Sequence, residues 1–526
     1  MSSGHPETTA AGIGVLRDGG NAMDALVASA LAAGICEPLL TGLGGGGLIT
    51  WRDGASGEVV VFDFMSCFPG LDGGLAPRDF RALSVDYGPA TQTFHAGRGA
   101  VAVPGVAVGL EHAHRRCGHL PLSQLGHHAA HLARHGWTAT AGTEVVATML
   151  AAITTMTPES AAIFAPGGTP LKEGDVVTSE LQARAVEAFA AEGAAPFVSG
   201  RYAEALVETF GQPHGSLSMK DLAAYEVVER APVSATFHGA TLYSPPPPCL
   251  GGALLAFGMH LLGLLRRDDR PANVVGALAS VMAEAERARG EWFDEMAEHP
   301  GSVERLLGDA SLREHREHLF AALQHRALIP RQVPPPGPPP GSVPGNTTHI
   351  SVVDADGNAA SYTSSNGECC GTVWPGADLP VNNFLGEEDI NPFGFHVGPP
   401  GKRMSTMMSP SLLVDDDGGV IALGTGGANR IRTAMLQVLA HLLVGELSLE
   451  DAVMYPRVHM EAGAVSIEDL GQGDEVMAAA GGPGASIAPF PGRHLYFGGV
   501  HCARRLPDGR FEAVGDPRRS GCGEVA

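Results

Sequence analysis

The 526-residue sequence lacks several features that would place it in a large class of proteins. No apolar run is long enough to cross a bilayer, and the N-terminus, Met-Ser-Ser-Gly-His-Pro, has neither the basic nor the apolar region of a signal peptide. Cations are scarce: 34 Lys and Arg residues stand against 57 Asp and Glu residues, which gives a net charge of −23. Phosphate groups repel such a surface. We therefore expect no nucleic-acid partner, no binding to anionic membranes and a cytoplasmic location.

The cysteines and histidines are not spaced as a disulfide framework or a strong metal site. The eight cysteines show no Cys-x-x-Cys spacing, and adjacent Cys369 and Cys370 would form a strained bridge, so reduced thiols are predicted. His127, His131 and His135 have the i, i+4 spacing of zinc ligands on one helix face. Because no Glu follows His127 in the HExxH pattern, a solvated helix face is the preferred interpretation. No metal and no cofactor are predicted.

Glycine is abundant, with a run at residues 44–47. A glycine-rich loop can cradle a phosphate, but no Gly-Lys-Ser/Thr follows this run and no strand–GxGxxG–helix pattern is present. Tight backbone packing is therefore the better interpretation. Apolar periodicity and helix-end signals predict helices over residues 8–18, 21–33, 179–210, 253–265 and 273–296.

The chain changes character at Thr347. Residues 333–341 form a Pro/Gly run that fits neither a helix nor a sheet interior; an SH3-type ligand is an alternative use of that run. After it, residues 350–353 are rich in β-branched side chains, Asp356-Gly357 is a tight-turn signal, and residues 359–364 are predicted to form the return strand. Thr347 is thus predicted to open a hairpin directly after a flexible linker.

That position suits an N-terminal nucleophile. If the Asn346–Thr347 bond breaks, Thr347 holds both a hydroxyl and a free α-amine, whose usual pKa of about 8 allows it to act as a general base near neutral pH. The hydroxyl would first attack the preceding carbonyl and later attack substrate. The alternative from local sequence is that Thr347 is an ordinary strand residue, since threonine is common in strands.

Distant segments support the nucleophile when they are considered together. The segments are residues 5–12, 18–24, 37–38, 42–47, 103–105, 245–252, 347–354, 400–403, 408–410, 424–431 and 516–519. Together and in this order, they resemble the γ-glutamyltranspeptidase family of N-terminal-nucleophile hydrolases.

The resemblance implies an α+β fold, a four-layer αββα sandwich with two stacked antiparallel sheets. It also implies cleavage between Asn346 and Thr347 into two intertwined fragments. These would be a large-subunit region, residues 1–346, whose last part (331–346) is the linker, and a small-subunit region, residues 347–526. The two fragments would remain together as a heterodimer.

The resemblance also assigns roles at the active site. Ser365 takes the place of a hydroxyl that hydrogen-bonds the nucleophile. Gly427 and Ala428 fall in the loop whose backbone N–H groups stabilise the oxyanion, and one such donor lowers the barrier by ~3 kcal/mol. Glu387 takes the place of the carboxylate that binds the substrate α-amine, and Thr406 that of a hydroxyl on the α-carboxylate.

Other contacts to a glutamyl head group are altered. Relatives place an arginine where this sequence has Met65, and one of their two carboxylate-binding serines falls on Met407. The substrate-binding asparagine falls on Gly367, with Asn366 one residue away. Arg78, Arg81 and Arg98 are candidates to replace the missing cation, which would otherwise bind a carboxylate through two parallel hydrogen bonds.

The sequence therefore predicts an acyltransferase or amidohydrolase more strongly than it predicts γ-glutamyl specificity. Its substrates would be a small-molecule acyl donor and either water or an amine acceptor. One alternative keeps the fold but cleaves a C–C bond, as some family members in actinomycete natural-product pathways do when alkylproline units are formed. A second alternative is an uncleaved, non-catalytic binding protein.

Overall fold

A computed structural model describes residues 1–74, 78–86, 91–263, 271–325, 346–391, 393–461, 463–471 and 486–526. The α-helices of these residues are α1 (Pro6–Arg17), α2 (Ala22–Cys36), α3 (Val106–Cys117), α4 (Leu122–Leu125), α5 (His127–His135), α6 (Ala141–Met149), α7 (Ala151–Thr154), α8 (Pro158–Phe164), α9 (Glu180–Glu192), α10 (Ala195–Val198), α11 (Arg201–Phe210), α12 (Met219–Ala223), α13 (Leu250–Leu262), α14 (Pro271–Glu298), α15 (Val303–Leu306), α16 (Asp309–His325), α17 (Arg430–Leu443) and α18 (Leu449–Met454).

The strands of the same residues are β1 (Ser2–Ser3), β2 (Gly46–Arg52), β3 (Val59–Phe64), β4 (Arg81–Asp86), β5 (Thr91–Ala96), β6 (Trp137–Thr138), β7 (Val176–Val177), β8 (Val228–Arg230), β9 (Val233–Phe237), β10 (Ala240–Ser244), β11 (Thr347–Val353), β12 (Ala359–Ser365), β13 (Val373–Trp374), β14 (Leu379–Pro380), β15 (Ser411–Asp415), β16 (Val420–Gly424), β17 (Val458–Glu461), β18 (Ala464–Asp469), β19 (Ser486–Pro491), β20 (His501–Arg505), β21 (Phe511–Val514) and β22 (Cys522–Gly523).

Two antiparallel sheets form the centre of the molecule. The first has the strand order β22-β1-β11-β12-β2-β3-β8, and the second has the order β21-β20-β16-β15-β10-β9. Buried hydroxyls join the sheets: Ser361 Oγ donates to the carbonyl oxygen of Leu423 at 2.9 Å, and Ser351 Oγ donates to that of His501 at 3.1 Å. Every residue of β11 and β12 is buried. These central strands are therefore covered on both faces.

Helices cover the outer face of each sheet. All fifteen residues of α2 are buried, as its alanine-rich, apolar sequence predicts, and α2 packs on β11 and β12 with α1 against it. On the other side, α13 packs on β9 and β10, and α17 packs on α13 and β16. Two hydrophobic clusters fill these helix–sheet layers. The predicted four-layer αββα sandwich is confirmed.

Most of the predicted elements are present. The hairpin of β11 and β12 turns at Asp356-Gly357, as predicted, and α1, α13 and α14 correspond to predicted helices. The single helix predicted over residues 179–210 is wrong, because α9, α10 and α11 are separated at Gly193, which has a φ of 67°, and at Gly200. The proline-rich linker lies outside the described residues, except for Asn346.

Three further properties bear on function. All eight cysteines are free thiols in the structure. Among the described residues, no helix is long and apolar enough to cross a membrane, and no group of three or more His, Cys, Asp or Glu side chains is placed to hold a metal ion. The cytoplasmic location stays a prediction.

Candidate active site

The two threonines that open β11 face opposite ways. Successive strand residues point to opposite faces of a sheet, and here the hydroxyl of Thr348 donates a 2.6 Å hydrogen bond to Glu37 Oε2. Thr347 instead lines a cavity that is also bounded by Ser365, its register partner in β12. Of the two hydroxyl residues at this junction, only Thr347 is placed to meet a substrate.

Ser365 hydrogen-bonds the carbonyl group of the Asn346–Thr347 peptide bond, which is the bond predicted to break. Its hydroxyl donates to the carbonyl oxygen of Asn346 at 2.7 Å, and the backbone N–H of Gly367 donates to Ser365 Oγ at 2.9 Å. The N–H of Gly367 thus orients the Ser365 hydroxyl, and a donor on a carbonyl oxygen stabilises the negative charge that forms there during attack. The sequence predicted a hydrogen bond from Ser365 to the nucleophile; in the uncleaved chain Ser365 bonds the carbonyl next to the nucleophile.

The glycine-rich loop between β16 and α17 lies against Thr347. An ideal Cβ on Gly426 would lie 2.0 Å from the carbonyl oxygen of Thr347, so only glycine allows this approach. Gly427 and Ala428 follow with φ angles of 134° and 47°, and Ala428 lines the cavity. Neither amide donates a hydrogen bond to any residue that the structure describes. Both precede the N-terminus of a 14-residue helix, which favours negative charge.

The glycines at positions 44–47 pack tightly on neighbouring backbone, Gly45 on β12 and Gly44 on β14. An ideal Cβ on Gly45 would lie 2.1 Å from the carbonyl oxygen of Ser365, and one on Gly44 would lie 2.3 Å from that of Pro380. The interpretation of this run as close backbone packing beside the site is confirmed.

Two arginines bring positive charge close to the nucleophile. Arg519 Nη1 donates to the carbonyl oxygen of Thr347 at 3.3 Å. Burial lowers the pKa of Arg519 to about 10, and neighbouring Arg430 adds to the shift. The guanidinium of Arg430, which is buried, lies over the ring of Tyr496 at 4.8 Å. Nearby cations favour the neutral form of an amine, and a neutral α-amine is what a general base at Thr347 requires.

The cavity at Thr347 has a volume of about 50 Å³ and mostly apolar walls. Met65 and Met407 are among its lining residues, so the positions where relatives have polar head-group contacts are apolar here. None of the three candidate replacement arginines lines the cavity: Arg81 and Arg98 both pair with Asp79, and the backbone N–H of Arg78 bonds the carbonyl of His214. Among the described residues, no cation lines this cavity.

Carboxyl groups lie at one side of the cavity. Glu387 and Asp389 both line it, and buried Glu368 is close enough to interact with Glu387. Burial, together with Glu368 and Asp389, raises the pKa of Glu387 well above its usual value. Burial also raises the pKa of Asp389 to about 6 and that of Glu368 to about 8. With a pKa of about 6, Asp389 is ionised near neutral pH and places a negative charge in the cavity.

Gly367 makes room for the Glu387 carboxyl. Gly367 has a φ of 61°, and an ideal Cβ there would lie 2.0 Å from Glu387 Oε1 and 2.2 Å from Asn383 Oδ1. Glu387 Oε1 is buried and has no hydrogen-bond partner among the described residues. The carboxyl of Glu387 therefore lies where a side chain at position 367 would begin. The glycine that replaces the relatives' asparagine at position 367 is thus what leaves room for the Glu387 carboxyl.

The remaining predicted residues divide into two groups. Thr406 lines the cavity, and its Oγ1 accepts a hydrogen bond from the backbone N–H of Met408 at 3.2 Å. Asn366 does not line the cavity, because its Nδ2 donates to the carbonyl oxygen of Pro38 at 3.3 Å on the other side of the strand end. The prediction that Asn366 contacts substrate is therefore corrected, because its side chain points away from the cavity at Thr347.

Sequence reasoning missed Asp389 and Arg519 as site residues. Arg519 belongs to the matching segment 516–519, and Asp389 lies two residues after Glu387, but no spacing rule connects either of them to Thr347. Arg519 lies 172 residues after Thr347 in the chain. The acidic run Glu387-Glu388-Asp389 was the one local signal for a second carboxylate.

Comparison with known proteins gives consistent results over nearly the whole chain. The family model described as gamma-glutamyltranspeptidase matches residues 8–526. The Acylase ACY 1 proenzyme of Pseudomonas sp. (strain V22) is 33% identical, over 88% of this chain and 83% of its own length. The glutathione hydrolase proenzyme of Bacillus subtilis (strain 168) is 28% identical, over 99% of this chain and 90% of its own. The crystal structure of cephalosporin acylase from Bacillus halodurans superposes with a TM-score of 0.82 at 21% identity, over 99% of this chain and 95% of that one.

Proposed function

Because the chain belongs to the gamma-glutamyltranspeptidase family and is therefore an enzyme with small-molecule substrates, we propose that Thr347 is its nucleophile, first in self-cleavage and then in acyl transfer. The observation that supports this most directly is the hydrogen bond from Ser365 to the Asn346 carbonyl at the start of β11. This donor lies on the oxygen that becomes negative when Thr347 Oγ1 attacks the Asn346 carbonyl carbon.

Self-cleavage is an N-to-O acyl shift. Thr347 Oγ1 attacks the carbonyl carbon of Asn346, while Ser365 stabilises the oxygen that becomes negative. The C–N bond breaks, the hydroxyl proton passes to the departing nitrogen, and an ester joins Asn346 to Thr347 Oγ1. Water hydrolyses that ester. The products are a carboxylate at Asn346 and a free α-amine at Thr347.

Acyl transfer uses the same oxygen a second time. The α-amine of Thr347 takes the hydroxyl proton as Oγ1 attacks the substrate carbonyl, and it delivers that proton to the departing amine. The amides of Gly427 and Ala428, at the N-terminus of α17, stabilise the tetrahedral oxyanion. Water or an amine then attacks the acyl-Thr347 ester, giving hydrolysis or transfer.

The lining of the cavity at Thr347 defines the acyl group. The cavity is small, it holds the Asp389 and Glu387 carboxyls, and no described cation lines it. A carboxylate on the acyl group would meet the negative charge of Asp389 and find no arginine among the described residues that line the cavity. The acyl group is therefore short, ends in an ammonium group and has no carboxylate beside that group.

Intact-protein mass spectrometry tests the nucleophile. The purified parent should give two fragments that break between Asn346 and Thr347, and Thr347→Ala should give one intact chain. Thr347→Ser is the matched control, because it keeps the hydroxyl and should still cleave. Ser365→Ala keeps the nucleophile but removes the donor on the Asn346 carbonyl. By analogy with a lost oxyanion donor, we expect it to slow cleavage about a hundredfold or more. A parent chain that stays whole would contradict the proposal.

The acyl group is tested with three para-nitroanilides: γ-aminobutyryl, glutaryl and γ-glutamyl. They share the chain length of the acyl group and differ only in the ammonium and carboxylate groups at its far end. We expect the highest kcat/KM for the γ-aminobutyryl donor, because it alone has the cation without the anion. A preference for the glutaryl donor would contradict the assignment of the acyl group and leave the assignment of Thr347 intact.

A further inference from the structure

A second and larger cavity continues the cavity at Thr347. It has a volume of about 250 Å³. The segments 65–68, 389–391 and 403–407 each contribute residues to the walls of both cavities, and Ile390 lines both. The two cavities are therefore adjacent, and Ile390 is their shared wall. A substrate held at Thr347 can extend past Ile390 into the second cavity.

The walls of the second cavity are mainly apolar. Phe68, Phe293 and Ala297 form its buried part. At its mouth, Phe393 is 55% exposed and Val397 is 61% exposed, and both are among the few large apolar side chains of the described residues that are open to solvent. Exposed apolar side chains at the rim of a concave apolar site are typical of a ligand-binding site.

The volume of the second cavity suits a ring. An apolar cavity of about 150 Å³ accepts benzene, and the second cavity is larger than that. The cavity at Thr347, at about 50 Å³, has no room for such a group. A ring on the acyl half of a substrate would therefore lie in the second cavity.

The charges that line the second cavity are balanced. Among the described residues, these charges belong to Glu298, Lys402 and Arg403. Glu298 and Lys402 form an ion pair at 2.8 Å. The guanidinium of Arg403 lies 3.7 Å from the buried carboxylate of Asp63 and donates a hydrogen bond to the carbonyl oxygen of Met65. Each of these charges has a partner, so the second cavity favours an uncharged group.

One acceptor in the wall of the second cavity lacks a donor. Asn391 is 7% exposed and lines this cavity. Its Nδ2 donates to the carbonyl oxygens of Phe384 and Glu387 at 2.7 and 2.8 Å, which fixes the orientation of the amide. Its Oδ1 is buried and has no hydrogen-bond partner among the described residues. Buried polar atoms are normally hydrogen-bonded in native proteins, so this acceptor indicates a ligand with an N–H or O–H donor.

We propose that the second cavity binds an apolar, ring-sized group that is carried on the ammonium nitrogen at the far end of the acyl group. The assignment rests on the acyl group proposed above, and the chain between the carbonyl carbon and the nitrogen stays as short as proposed there. A secondary ammonium group has two N–H donors. One pairs with Asp389 in the cavity at Thr347, and the other bonds Asn391, two residues further along the chain. The ring lies past Ile390, in the second cavity.

A binding experiment that needs no catalysis tests the second cavity. Calorimetry near neutral pH uses the Thr347→Ala precursor, which keeps the chain uncleaved and retains both cavities. The probes are γ-(benzylamino)butyramide and γ-(methylamino)butyramide, which share the secondary ammonium group and differ only in the ring. We expect the benzyl probe to bind about tenfold more tightly, because its ring leaves water for an apolar cavity. Equal affinity of the two probes, or no binding of the benzyl probe, would overturn the proposal.

A third probe tests the ammonium group separately from the ring. In ω-phenylhexanamide, a methylene group replaces the ammonium group and the ring keeps its place. We expect this probe to bind about tenfold more weakly than the benzyl probe, because it has neither a charge for Asp389 nor a donor for Asn391. Equal affinity of these two probes would contradict the ammonium group of the proposed acyl group, while a preference for the benzyl probe over the methyl probe would still support the ring site.

Two substitutions and two matched controls locate the bound ring. Val397→Trp should fill the mouth of the second cavity and Phe393→Ala should remove part of its wall, so each should reduce the preference for the benzyl probe. Val176→Trp and Phe320→Ala change a valine and a phenylalanine that are 66% and 48% exposed and lie outside the cavity, and they should leave that preference unchanged. Thermal unfolding of each variant establishes that it is folded. Equal effects of the controls and the cavity variants would also overturn the proposal.

A kinetic comparison on the processed enzyme separates this proposal from the proposed function. The para-nitroanilide of the γ-(benzylamino)butyryl group should have a lower KM than that of the γ-(methylamino)butyryl group. Val397→Trp should remove the difference, and Val176→Trp should not. Ring-selective binding by a chain that never cleaves itself would contradict the proposed function alone. Self-cleavage and turnover without any preference for the benzyl donor would contradict the ring site alone.

Discussion

Asp389 is the residue whose charge state matters most for the proposed acyl group. Its pKa is raised to about 6, mainly by burial and also by Glu461, while Arg289 and Arg430 act in the opposite direction. Burial, together with Glu368 and Asp389, also raises the pKa of Glu387. An ammonium group in this cavity would therefore pair with Asp389 first. Above pH 6 the carboxylate is present, and below pH 6 it is progressively lost.

This gives a pH prediction that does not depend on the α-amine of Thr347. The ratio of kcat/KM for γ-aminobutyryl and butyryl para-nitroanilides cancels the titration of the α-amine, since both donors use the same nucleophile. We expect the ratio to be level above pH 6 and to fall about tenfold per pH unit below it, because kcat/KM reports the free enzyme. Asp389→Asn should make the ratio low and independent of pH. A ratio that is already independent of pH in the parent would contradict the pairing with Asp389.

At the scale of elements, the segment that follows β12 and continues past β14 brings Gly367 and Glu387 together. Gly367 lies two residues after the end of β12, and Glu387 follows β14 after a short 3-10 turn, Phe384–Gly386. The left-handed backbone of Gly367 and the 2.0 Å approach of Glu387 both exclude a side chain there. The specificity of the site thus depends on how this loop closes, as well as on which side chains it contains.

Comparing Gly367→Ala with a second glycine variant should therefore distinguish an effect on folding stability from an effect on substrate specificity. Gly376→Ala is a matched control, since Gly376 has a φ of 75° in a turn of the same loop and an added Cβ would meet nothing within 4 Å. Both variants should lose about 1–2 kcal/mol of unfolding free energy from the left-handed backbone, measured by denaturant titration. Gly367→Ala should lose more, because its Cβ also meets Glu387 and Asn383. Only Gly367→Ala should also lose turnover of the γ-aminobutyryl donor, because it displaces the Glu387 carboxyl. Equal turnover in the two variants would contradict the coupling.

The hairpin and the buried helix were predictable because local rules specify them. The β-branched residues at 350–353, followed by the Asp-Gly turn, predict β11 and its return strand β12, and a cap at Asn21 before a continuous apolar run predicts α2. The approach of Arg519 to Thr347 and the contact of Ser365 with the Asn346 carbonyl were not predictable from spacing. They depend on strand register and on how the two sheets stack, which no local pattern contains.

The correction at Asn366 has the same cause. A shift of one residue along a strand end reverses the face to which a side chain points. Asn366 therefore turns to Pro38, although its neighbours in sequence contribute to the cavity at Thr347. A residue-by-residue resemblance identifies the strand end correctly and still assigns the wrong face to one position.

At the scale of the whole molecule, the proposed break lies between two parts that do not form separate domains. In the first sheet, β11 from the second part pairs with β1 from the first part, and β12 pairs with β2. In the second sheet, β10 from the first part pairs with β15. Both hydrophobic clusters contain residues from both parts. Separation of the fragments would break ladders in both sheets and expose both cores.

The cleaved enzyme should therefore behave as one folded unit. Size-exclusion chromatography at neutral pH should elute both fragments together, while denaturing electrophoresis resolves them. A 347–526 fragment expressed alone should be insoluble or unfolded, since an unpartnered sheet edge and an exposed core favour aggregation. Co-expression with a separate 1–346 fragment is the matched control and should restore a soluble complex. Independent elution of the two fragments from the cleaved parent would contradict the inference that they share both sheets. Paired strands and common cores leave neither fragment a complete core of its own.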